Sequence, residues 1–486
     1  MDQVIAVSST ILPDGEIRPL TRAPARERWS WALYDFANTI FSMNVGTLYF
    51  TLWLIEDLGA PELLYATANG VASLLVVVAI PVLGAISDVR RRRKPWVVGF
   101  TVASCIACAL IGVFGVTTLP LVGTGVIGGA PRAAGWHVSS VALVPMLACY
   151  AIASFAYQAA QPFYNAMLPE LVPVEEQGRL SGLGVAVGYV GSIVGVMLVK
   201  PFFNGELPLI GALPAQFVHG LRSIMPFTAT AGAVATFVPT GILFLVFAMP
   251  LFIFCRDRNP APEGTPLRWK AAFAEVAHTI RDSKKHPGAL RFIITTLVYQ
   301  DAIGTIITFM TVYAVKAIGF AAGSAVTVFV VLTIPAILGS YVAGQMVDRI
   351  GPKKTLQTTL WIWVALLICL AIVPSQGAFW VVGFAIGLNF GGVNAAERPM
   401  MLALIPDVEA GRYFSLMLLS ARVAAIVGPF VWSITVWGIE PSFGTAFAYR
   451  AAVLTVVAMF LIALWILRGV PDRREKTPGR LLTGAA

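Results

Sequence analysis

The sequence GQMVDRIGPKK occupies residues 344–354, and the related sequence GAISDVRRRRK occupies residues 84–94. In each copy a glycine precedes an aspartate by four residues, and a basic cluster follows. The two aspartates, Asp88 and Asp348, are separated by 260 positions. Each copy also ends a long apolar run. This pairing predicts a chain with two related halves, each carrying the same loop after its second apolar run.

A second, independent spacing supports the duplication. The pattern Asp-x-x-x-Thr occurs at Asp35 with Thr39 and again at Asp301 with Thr305. These aspartates are 266 positions apart, an offset that agrees within six residues with that of the loop pair. Because two separate patterns repeat at nearly the same interval, we predict parallel repeats. In membrane carriers built this way, the substrate cavity lies at the interface between the halves.

The composition identifies the class of protein in which these repeats occur. Of the 486 residues, 57% are hydrophobic and only 12% are charged, about half the charged fraction of a soluble domain. The apolar residues are spread along the whole chain, which excludes a soluble enzyme and indicates a polytopic membrane protein. The five cysteines lie in or beside apolar runs and predict no disulfide framework. Cys105 and Cys108 have a C-x-x-C spacing but are interpreted as packing residues, not as metal ligands.

Twelve apolar runs are long enough to be transmembrane helices, since about 20 such residues cross a hydrocarbon core about 30 Å thick. We number them helices 1 to 12, and they lie near residues 29–55, 62–87, 95–117, 139–168, 180–200, 233–255, 289–315, 322–347, 355–374, 377–404, 412–437 and 446–468. The predicted fold class is an all-α membrane protein with twelve transmembrane helices in two six-helix halves. The predicted segments are an N-terminal segment (1–28), an N-terminal bundle (29–256), a linker (257–288), a C-terminal bundle (289–468) and a tail (469–486).

Basic residues predict the orientation of these helices. Most of the 34 Lys and Arg residues fall in the even-numbered loops and at both ends, so the positive-inside rule places both termini in the cytoplasm. The residues before helix 1 lack a secretory signal, and no N-x-S/T sequon occurs, which favours a bacterial inner membrane. Trp29 and Trp31 are predicted to anchor helix 1 at the interface. In the linker, RWKAAFAEVAHTI at 268–280 predicts an amphipathic helix on the inner leaflet.

The loop at 344–354 has the pattern Gly-x-x-x-Asp-Arg-x-Gly-x-Lys-Lys and resembles the loop signature of the major facilitator superfamily. The first copy matches less well, because Val89 replaces the usual arginine and Arg91 replaces the central glycine. The resemblance implies that these loops control the rocking of the two halves. A carboxylate that faces a helix N-terminus is stabilised by the helix dipole and can act as a two-state latch. The implied gating residues are Gly84, Asp88, Arg91, Arg92, Gly344, Asp348, Arg349 and Gly351.

Four longer segments are similar to a narrower branch of that superfamily. They are WALYDFANTIF (31–41), FYNAMLPELVPVEEQGRLSGLGVAVGYVGS (163–192), YQDAIGTI (299–306) and GLNFGGVNAAER followed by LIP (387–406). Together they resemble vacuole-effluxer-like proteins, which include the fungal autophagy-associated amino-acid exporter. The resemblance implies a transporter of amino acids. The sequence departs from relatives at three positions of the cavity type, Gln300, Glu397 and Arg422.

Charge is costly inside a membrane and indicates function, and the candidates within the predicted helices are Asp35, Asp301, Glu397, Arg398 and Arg422. In one interpretation, Asp301 and Arg422 face the central cavity, with Arg422 binding an anionic group and Asp301 exchanging protons or binding an amine. For Asp35, Glu397 and Arg398, the alternative is that they pair across the inner mouth and close it as a gate. Because Glu397 and Arg398 are adjacent in a helix, they point about 100° apart and should serve different contacts.

Polar side chains in other helices complete the predicted cavity. Those of helix 4 recur at three- and four-residue spacing, which indicates one wet face that lines a cavity or bonds to neighbouring helices. The members in helix 4 are Tyr157, Gln158, Gln161, Tyr164 and Asn165. The further members are Asn38, Asn44, Asn389 and Asn394. In helix 5, small residues at Gly184, Gly188, Gly191 and Gly195 predict close packing against another helix.

The sequence has no ATP-binding loop, zinc signature, catalytic triad or haem motif, so we predict neither an enzyme nor a cofactor. An ion gradient is then the expected energy source, with protons favoured because membrane carboxylates are available. We predict a secondary transporter that works by alternating access on a small organic solute, with amino acids first. The alternatives are an exporter or flippase of a lipid, pigment or drug-like amphiphile, and a non-transporting sensor or assembly factor. The expected partners are the lipid bilayer, the substrate and protons, with no nucleic acid, and the expected state is a monomer.

Overall fold

Long helices form most of the chain. The computed structural model describes residues 9–11, 17–19, 22–54, 58, 62–118, 140–207, 211–225, 232–258, 287–320, 325–424 and 427–472. Helices α1 to α6 are Ala25–Phe41, Glu62–Arg90, Lys94–Thr118, Ser140–Ala166, Val174–Asn204 and Phe237–Phe254. Helices α7 to α12 are Pro287–Ile318, Ala325–Ile350, Pro352–Ile372, Gln376–Leu404, Ala410–Ala424 continued by Val427–Phe443, and Thr445–Arg468.

Several shorter elements extend or connect the long helices. Helix α1 continues through a π-helix, Ser42–Tyr49, and a last turn, Phe50–Leu52. The connecting helices are Leu168–Leu171, Ala215–Ile224, Ala233–Thr236 and Asp407–Glu409. Two small antiparallel hairpins pair Ser9–Ile11 with Ile17–Pro19 and Glu206–Leu207 with Gly211–Ala212.

The ends of the helices follow local chemistry. Helix α5 begins after Pro173, has Glu175 and Glu176 in its first turn, and ends at Gly205, whose φ is 76°. Acidic residues near a helix N-terminus and a left-handed glycine after its C-terminus both stabilise the helix ends. Hydropathy detects only the apolar middle of such a helix. The sequence therefore predicts only 180–200, whereas α5 extends over Val174–Asn204.

The two copies of the repeated loop share a backbone feature. Helix α9 begins after Gly351, whose φ is 91°, and the equivalent residue of the first copy, Arg91, has a φ of 49°. A positive φ is uncommon for any residue except glycine. Both loops therefore have a residue with positive φ at this position, although the first loop has no glycine there.

The two halves meet where helices cross closely. At the crossing of α5 and α8, a Cβ atom on Gly182 would lie 2.8 Å from the Cα atom of Gly344. At the crossing of α2 and α11, a Cβ atom on Gly84 would lie 2.8 Å from the carbonyl oxygen of Gly411. Both crossings lie toward the end of the bundle at which α1 begins and α12 ends, which we call the terminal end. Two glycines of the repeated loops thus allow the halves to touch there.

The structure confirms the predicted all-α class. Among the described residues, eight helices are long and apolar enough to cross a membrane. The two predicted tryptophan anchors differ, since Trp29 is 58% exposed whereas Trp31 is completely buried, so the interpretation of Trp31 as an interfacial anchor is wrong. Trp31 packs inside the bundle, where its indole Nε1 donates to the carbonyl oxygen of Tyr164 over 3.1 Å. The amphipathic helix predicted at 268–280 lies outside the described residues.

Candidate functional site: a polar cavity between the two halves

A cavity of about 480 Å³ lies between the two halves of the bundle. Its wall is formed by α1, α4 and α5 of the first half and by α7, α10 and α11 of the second. The predicted residues that line it are Asp35, Asn38, Tyr157, Gln158, Gln161, Asn165, Asn394, Glu397 and Arg398. Gln300, which the sequence marks as a position of the cavity type, lines it too, and the residues that line it without having been predicted as site residues include Thr39, Tyr189, Phe414 and Met417. The structure therefore brings the predicted wet face of helix 4 together with charges from distant parts of the chain.

An ion pair joins the two halves at the wall of this cavity. Arg398 of α10 donates from Nη1 to Asp35 Oδ2 over 2.9 Å and from Nη2 to Asp35 Oδ1 over 3.1 Å. Both side chains are largely buried, with 14% of Arg398 and 7% of Asp35 exposed. A bidentate pair of this kind fixes both the distance and the orientation of its partners. Asp35 and Arg398 therefore hold α1 against α10 in this conformation.

Two aromatic rings lie beside the same pair. The guanidinium carbon of Arg398 is 5.4 Å from the ring centroids of Trp31 and of Tyr164. The two rings stack on each other with centroids 4.6 Å apart, and the Tyr164 hydroxyl donates to the Trp31 carbonyl oxygen over 3.0 Å. Cations are attracted to aromatic faces at such distances. Arg398 thus contacts a rigid surface that belongs entirely to the first half.

Glu397 makes a separate contact, as the 100° separation from Arg398 predicts. Its Oε2 accepts a hydrogen bond of 2.7 Å from Gln300 Nε2 of α7, within the second half. Asn394, one turn earlier in α10, donates to the Tyr189 hydroxyl of α5 over 3.1 Å and so reaches the first half. Helix α10 therefore presents three polar groups to the cavity, and two of them bond across the interface.

A second cavity of about 220 Å³ adjoins the polar one on the side away from the terminal end. The two cavities share Thr39 and Tyr189. The wall of the second cavity is mainly apolar and includes Met43, Ile306, Ile307, Met310, Trp363 and Phe390. The space between the halves is therefore polar near the ion pair and apolar farther from the terminal end.

The second copy of the repeated loop makes a contact that closes the terminal end. Asp348 Oδ2 accepts a hydrogen bond of 3.0 Å from the backbone N–H of Arg179 and lies 3.8 Å from Arg179 Nε. Arg179 is in the first turns of α5, so a carboxylate of one half faces the N-terminal part of a helix in the other half. Arg349 is exposed at the same end.

The first copy closes the same end with a different residue. Arg93 donates from Nη1 to Glu170 Oε1 over 2.7 Å and from Nη2 to the carbonyl oxygen of Asp407, in the other half, over 2.8 Å. Burial raises the pKa of the Glu170 carboxyl, and the neighbouring Arg93 guanidinium partly opposes that rise. Asp257 Oδ1 accepts from the backbone N–H groups of Arg93 and Lys94 at 2.9 Å each and so caps α3. Sequence reasoning chose Arg91 and Arg92 and missed Arg93, although all belong to the same basic run.

Three predicted cavity residues take other positions. Asp301 lies outside the cavity lining, where its Oδ2 accepts a 2.7 Å hydrogen bond from the backbone N–H of Gly428. Asn389 donates to the carbonyl oxygen of Thr359 over 2.9 Å and so joins α10 to α9. Tyr164 is completely buried behind the ion pair. None of these three residues lines the cavity of about 480 Å³. The side chains of Arg422 and Asp88 lie outside the described residues.

One of the missed residues, Tyr189, stands within a sequence pattern that was already noted. Tyr189 follows Gly188 within the small-residue stripe of α5, and the glycines on either side of it bring α5 against α1. Tyr189 lies beside this contact and lines the cavity. Among the described residues, no group of three or more His, Cys, Asp or Glu side chains is arranged so that it could hold a metal ion.

The fold and the paired loops define the class of this protein, which is a transporter of the major facilitator superfamily and not an enzyme. Residues 63–477 match the family described as "Vacuole effluxer Atg22 like", so the chain belongs to that family. The uncharacterized MFS-type transporter YxiO of Bacillus subtilis (strain 168) is 23% identical over 452 residues, which are 91% of this chain and 94% of the relative. The multidrug resistance protein MdtG of Proteus mirabilis (strain HI4320) is 27% identical over 320 residues, 64% of this chain and 70% of the relative.

Solved structures agree with this fold. The human organic anion transporter MFSD10 (TETRAN) superposes with a TM-score of 0.65 at 13% identity, covering 91% of this chain and 100% of that chain. The transporter FucP in the outward conformation superposes with a TM-score of 0.62 at 13% identity, covering 91% and 99%. At such low identity the likeness concerns the fold alone. It supports the predicted major facilitator architecture across nearly the whole chain.

Proposed function

We propose that this protein is a proton-coupled secondary transporter that moves a small organic solute by alternating access, with amino acids as the first candidate substrates. The observation that carries the proposal is the polar cavity between the halves, whose wall contains Asp35, Glu397 and Arg398. A solute with an ammonium and a carboxylate group could exchange contacts with these charges as the halves rock. The volume of about 480 Å³ is sufficient for such a solute.

Glu397 is the proposed proton carrier in place of Asp301. It lines the cavity, and its partner Gln300 is neutral, so a proton can be gained or lost without breaking an ion pair. Asp301, by contrast, lies outside the cavity lining and accepts from a backbone N–H group of its own half. A carboxylate that lines the substrate cavity can couple its protonation to binding, because both events change the same local charge.

The apolar second cavity favours a second candidate function, export of a drug-like or lipid-like amphiphile. Such a solute would place its polar group beside Asp35 and its apolar part among Met43, Ile306 and Phe390. Relatives named multidrug resistance proteins agree with this candidate. The third possibility, a sensor or assembly factor without transport activity, is favoured by no specific contact in the structure.

The proposed setting is the bacterial inner membrane, with both termini in the cytoplasm and the protein acting as a monomer. In this orientation the terminal end is the cytoplasmic end, and it is closed by the contacts of Asp348 and Arg93. The proposed partners are the bilayer, the solute and protons, with no nucleic acid. The orientation is tested with an Ala25→Cys variant in a Cys369→Ser background, because Cys369 is exposed. The reaction of this variant with a membrane-impermeant thiol reagent is compared between intact and inverted vesicles.

Uptake into proteoliposomes of the purified protein tests the function. A panel of labelled amino acids is offered with and without an imposed pH gradient, and we expect concentrative uptake of one class only when the gradient is present. Accumulation that ignores the gradient contradicts proton coupling. Uptake of amphiphiles alone favours the second candidate, and no flux of any solute favours the sensor.

A matched pair of variants tests the proton carrier. Glu397→Gln should lose gradient-driven accumulation while it keeps solute exchange, because the cavity keeps its shape but cannot bind the proton. Asp301→Asn should keep accumulation, because that carboxylate lies outside the cavity lining. The reverse result would return the proton to Asp301.

A further inference from the structure

Arg398 fills a site that the first half provides by itself. The carboxylate of Asp35 and the rings of Trp31 and Tyr164 all belong to α1 and α4, whereas Arg398 comes from α10 of the second half. We call Trp31, Asp35 and Tyr164 the socket. Its two rings are held by reciprocal hydrogen bonds of 3.1 Å and 3.0 Å between their side chains and backbone oxygens. The socket is therefore preorganised without the cation that occupies it here.

The chemistry of the socket is that of an ammonium or guanidinium site. A carboxylate supplies the charge, and two aromatic faces supply the cation–π attraction by which organic cations are recognised. Trp31 and Tyr164 are fully buried, and Asp35 is buried as a whole residue. A charge in such surroundings is costly unless it is paired. Asp35 therefore offers a favourable site for a cation when Arg398 leaves.

Helix α5 leaves the space that a cation needs. A Cβ atom on Gly184 would lie 2.6 Å from Asp35 Oδ2, 3.1 Å from the Trp31 ring and 3.5 Å from Arg398 Nη1. A side chain at this position would enter the socket. One turn later on the same helix, a Cβ atom on Gly188 would lie 3.5 Å from Asp35 Cβ, at ordinary contact distance.

We propose that the socket is a cation-binding site that Arg398 occupies in this conformation, and that the ammonium group of the substrate occupies it when the halves part at the terminal end. Arg398 thereby acts as an internal competitor that is displaced once per cycle. The inference deepens the proposed function and rests on it in one respect, since the exchange of occupants requires alternating access. The ligand class is an organic amine in its protonated form.

Removal of Arg398 should expose the socket to a small cation. We would measure the thermal unfolding of purified Arg398→Ala in detergent with millimolar methylguanidinium chloride, using sodium chloride as the ionic-strength control. We expect methylguanidinium to raise the unfolding temperature of Arg398→Ala and to leave the wild-type value unchanged. The double variant Arg398→Ala with Asp35→Asn should show no rise. An equal rise in the double variant, or no rise in Arg398→Ala, would overturn the proposal.

Two glycine variants test the location of the site. In the Arg398→Ala background, Gly184→Ala places a methyl group in the socket, and we expect it to weaken methylguanidinium binding, measured by calorimetry, by about tenfold. Gly188→Ala adds the same methyl group one turn away and should weaken binding less. Equal losses in the two variants would place the cation elsewhere.

Should Arg398→Ala fail to fold, Arg398→Lys and Arg398→Gln test whether the socket needs a cation to keep the terminal end closed. Lysine keeps an ammonium group for the socket, whereas glutamine offers no charge. We expect Arg398→Lys to keep the terminal end closed and Arg398→Gln to open it, measured as the distance between spin labels at Ala25 and Lys354, which are exposed residues of the two halves. The same distance in both variants would contradict a role for the cation.

Transport separates this inference from the proposed function. Amino acids and their N-acetyl counterparts are compared in proteoliposomes, and we expect the blocked amines to lose about tenfold or more in uptake, because one charge-assisted contact is removed. Equal uptake of the N-acetyl compounds contradicts the socket as the substrate's amine site and leaves transport intact. No uptake of any solute, together with a methylguanidinium effect that depends on Asp35, contradicts the proposed function alone.

Discussion

The two halves carry the same Asp-x-x-x-Thr spacing, and in both the threonine hydroxyl lies within hydrogen-bond distance of the carbonyl oxygen of the aspartate one turn earlier, at 2.9 Å for Thr39 and 2.7 Å for Thr305. The shortest contact of the Thr39 hydroxyl is to the carbonyl oxygen of Gly188, at 2.6 Å. The carboxylates differ in what they contact. Asp35 binds Arg398 of the other half with both oxygens, whereas Asp301 binds the backbone N–H of Gly428 in its own half. Equivalent residues of the duplication have thus taken different structural roles.

This difference distinguishes contacts that change when the halves move relative to each other from contacts that do not. A bond within one half, such as that of Asp301 to Gly428, moves with that half as a rigid body and keeps its length. A bond between the halves, such as that of Asp35 to Arg398, must break for the terminal end to open. Only the second kind changes the free-energy difference between the closed and open conformations. Substitutions at the two kinds of bond should therefore separate stability from conformational equilibrium.

The largest effect is expected at Asp35. Asp35→Asn leaves Arg398 as an unpaired charge among buried groups, which costs about 3 to 5 kcal/mol. Part of this cost is relieved when the halves separate, so we expect both a lower unfolding temperature and an open terminal end. Spin labels at Ala25 and Lys354 measure the opening, in a Cys369→Ser background because Cys369 is an exposed cysteine. Asp301→Asn is the matched control.

Asp301→Asn should lose about 1 to 3 kcal/mol through one charge-assisted hydrogen bond while the label distance stays that of the parent protein. A double-mutant cycle sharpens the contrast. Asp35→Asn combined with Arg398→Gln should be strongly non-additive, and Asp301→Asn combined with Arg398→Gln should be additive within about 0.5 kcal/mol. Opening of the terminal end by Asp301→Asn would remove the distinction between the two carboxylates.

The next effect concerns the two copies of the repeated loop. Arg93→Ala removes a buried cation that contacts Glu170 and the other half, and we expect a loss of about 3 kcal/mol and partial opening of the terminal end. Arg92→Ala, one residue earlier and exposed, should lose less stability than Arg93→Ala. Equal losses in the two variants would mean that the basic run acts through its total charge instead of through Arg93.

The pH dependence of Arg93→Ala has a definite sign. Burial raises the pKa of Glu170 above its ordinary value, so ionisation of this carboxyl destabilises the folded protein as pH rises through the folded-state pKa. Arg93 limits that loss because its charge favours the carboxylate. The difference in unfolding temperature between wild type and Arg93→Ala should therefore be smaller at acid pH, where only the bonds of Arg93 to carbonyl oxygens are lost, and grow toward neutral pH. A difference that shrinks as pH rises would show that Glu170 is not its partner in stability.

The sequence predicted the fold from features that are local. Apolar runs mark helices, and the motif at 344–354 marks a loop whose Gly351 has the positive φ that glycine allows. It also predicted that Glu397 and Arg398 serve different contacts, since adjacent residues of a helix point apart. Helix ends were predicted less well, because polar turns such as the first of α5 carry no hydropathy signal.

The roles of the two aspartates could not be predicted in the same way. Asp35 and Asp301 share one local pattern, and their difference arises from partners far along the chain. Arg398 is 363 positions from Asp35, and Gly428 is 127 positions from Asp301. Which partner each carboxylate meets depends on the rotation of whole helices, and this rotation is set by packing such as that of Gly184 against Trp31. Spacing within a helix contains no information on it.

The smallest effect sharpens the same contrast with two tyrosines. The Tyr189 hydroxyl accepts from Asn394 of the other half over 3.1 Å, and the Tyr313 hydroxyl donates to the Leu370 carbonyl oxygen within its own half over 2.6 Å. Tyr189→Phe and Tyr313→Phe each remove one hydroxyl, and each should cost about 1 kcal/mol of stability. Only Tyr189→Phe should shift the label distance toward the open form. Its bond lies near the middle of the bundle and is one of several between the halves, so the shift should be smaller than that of Asp35→Asn. A shift in Tyr313→Phe of the same size would mean that opening follows stability alone, and the contrast between bonds within and across the halves would then lose its physical basis.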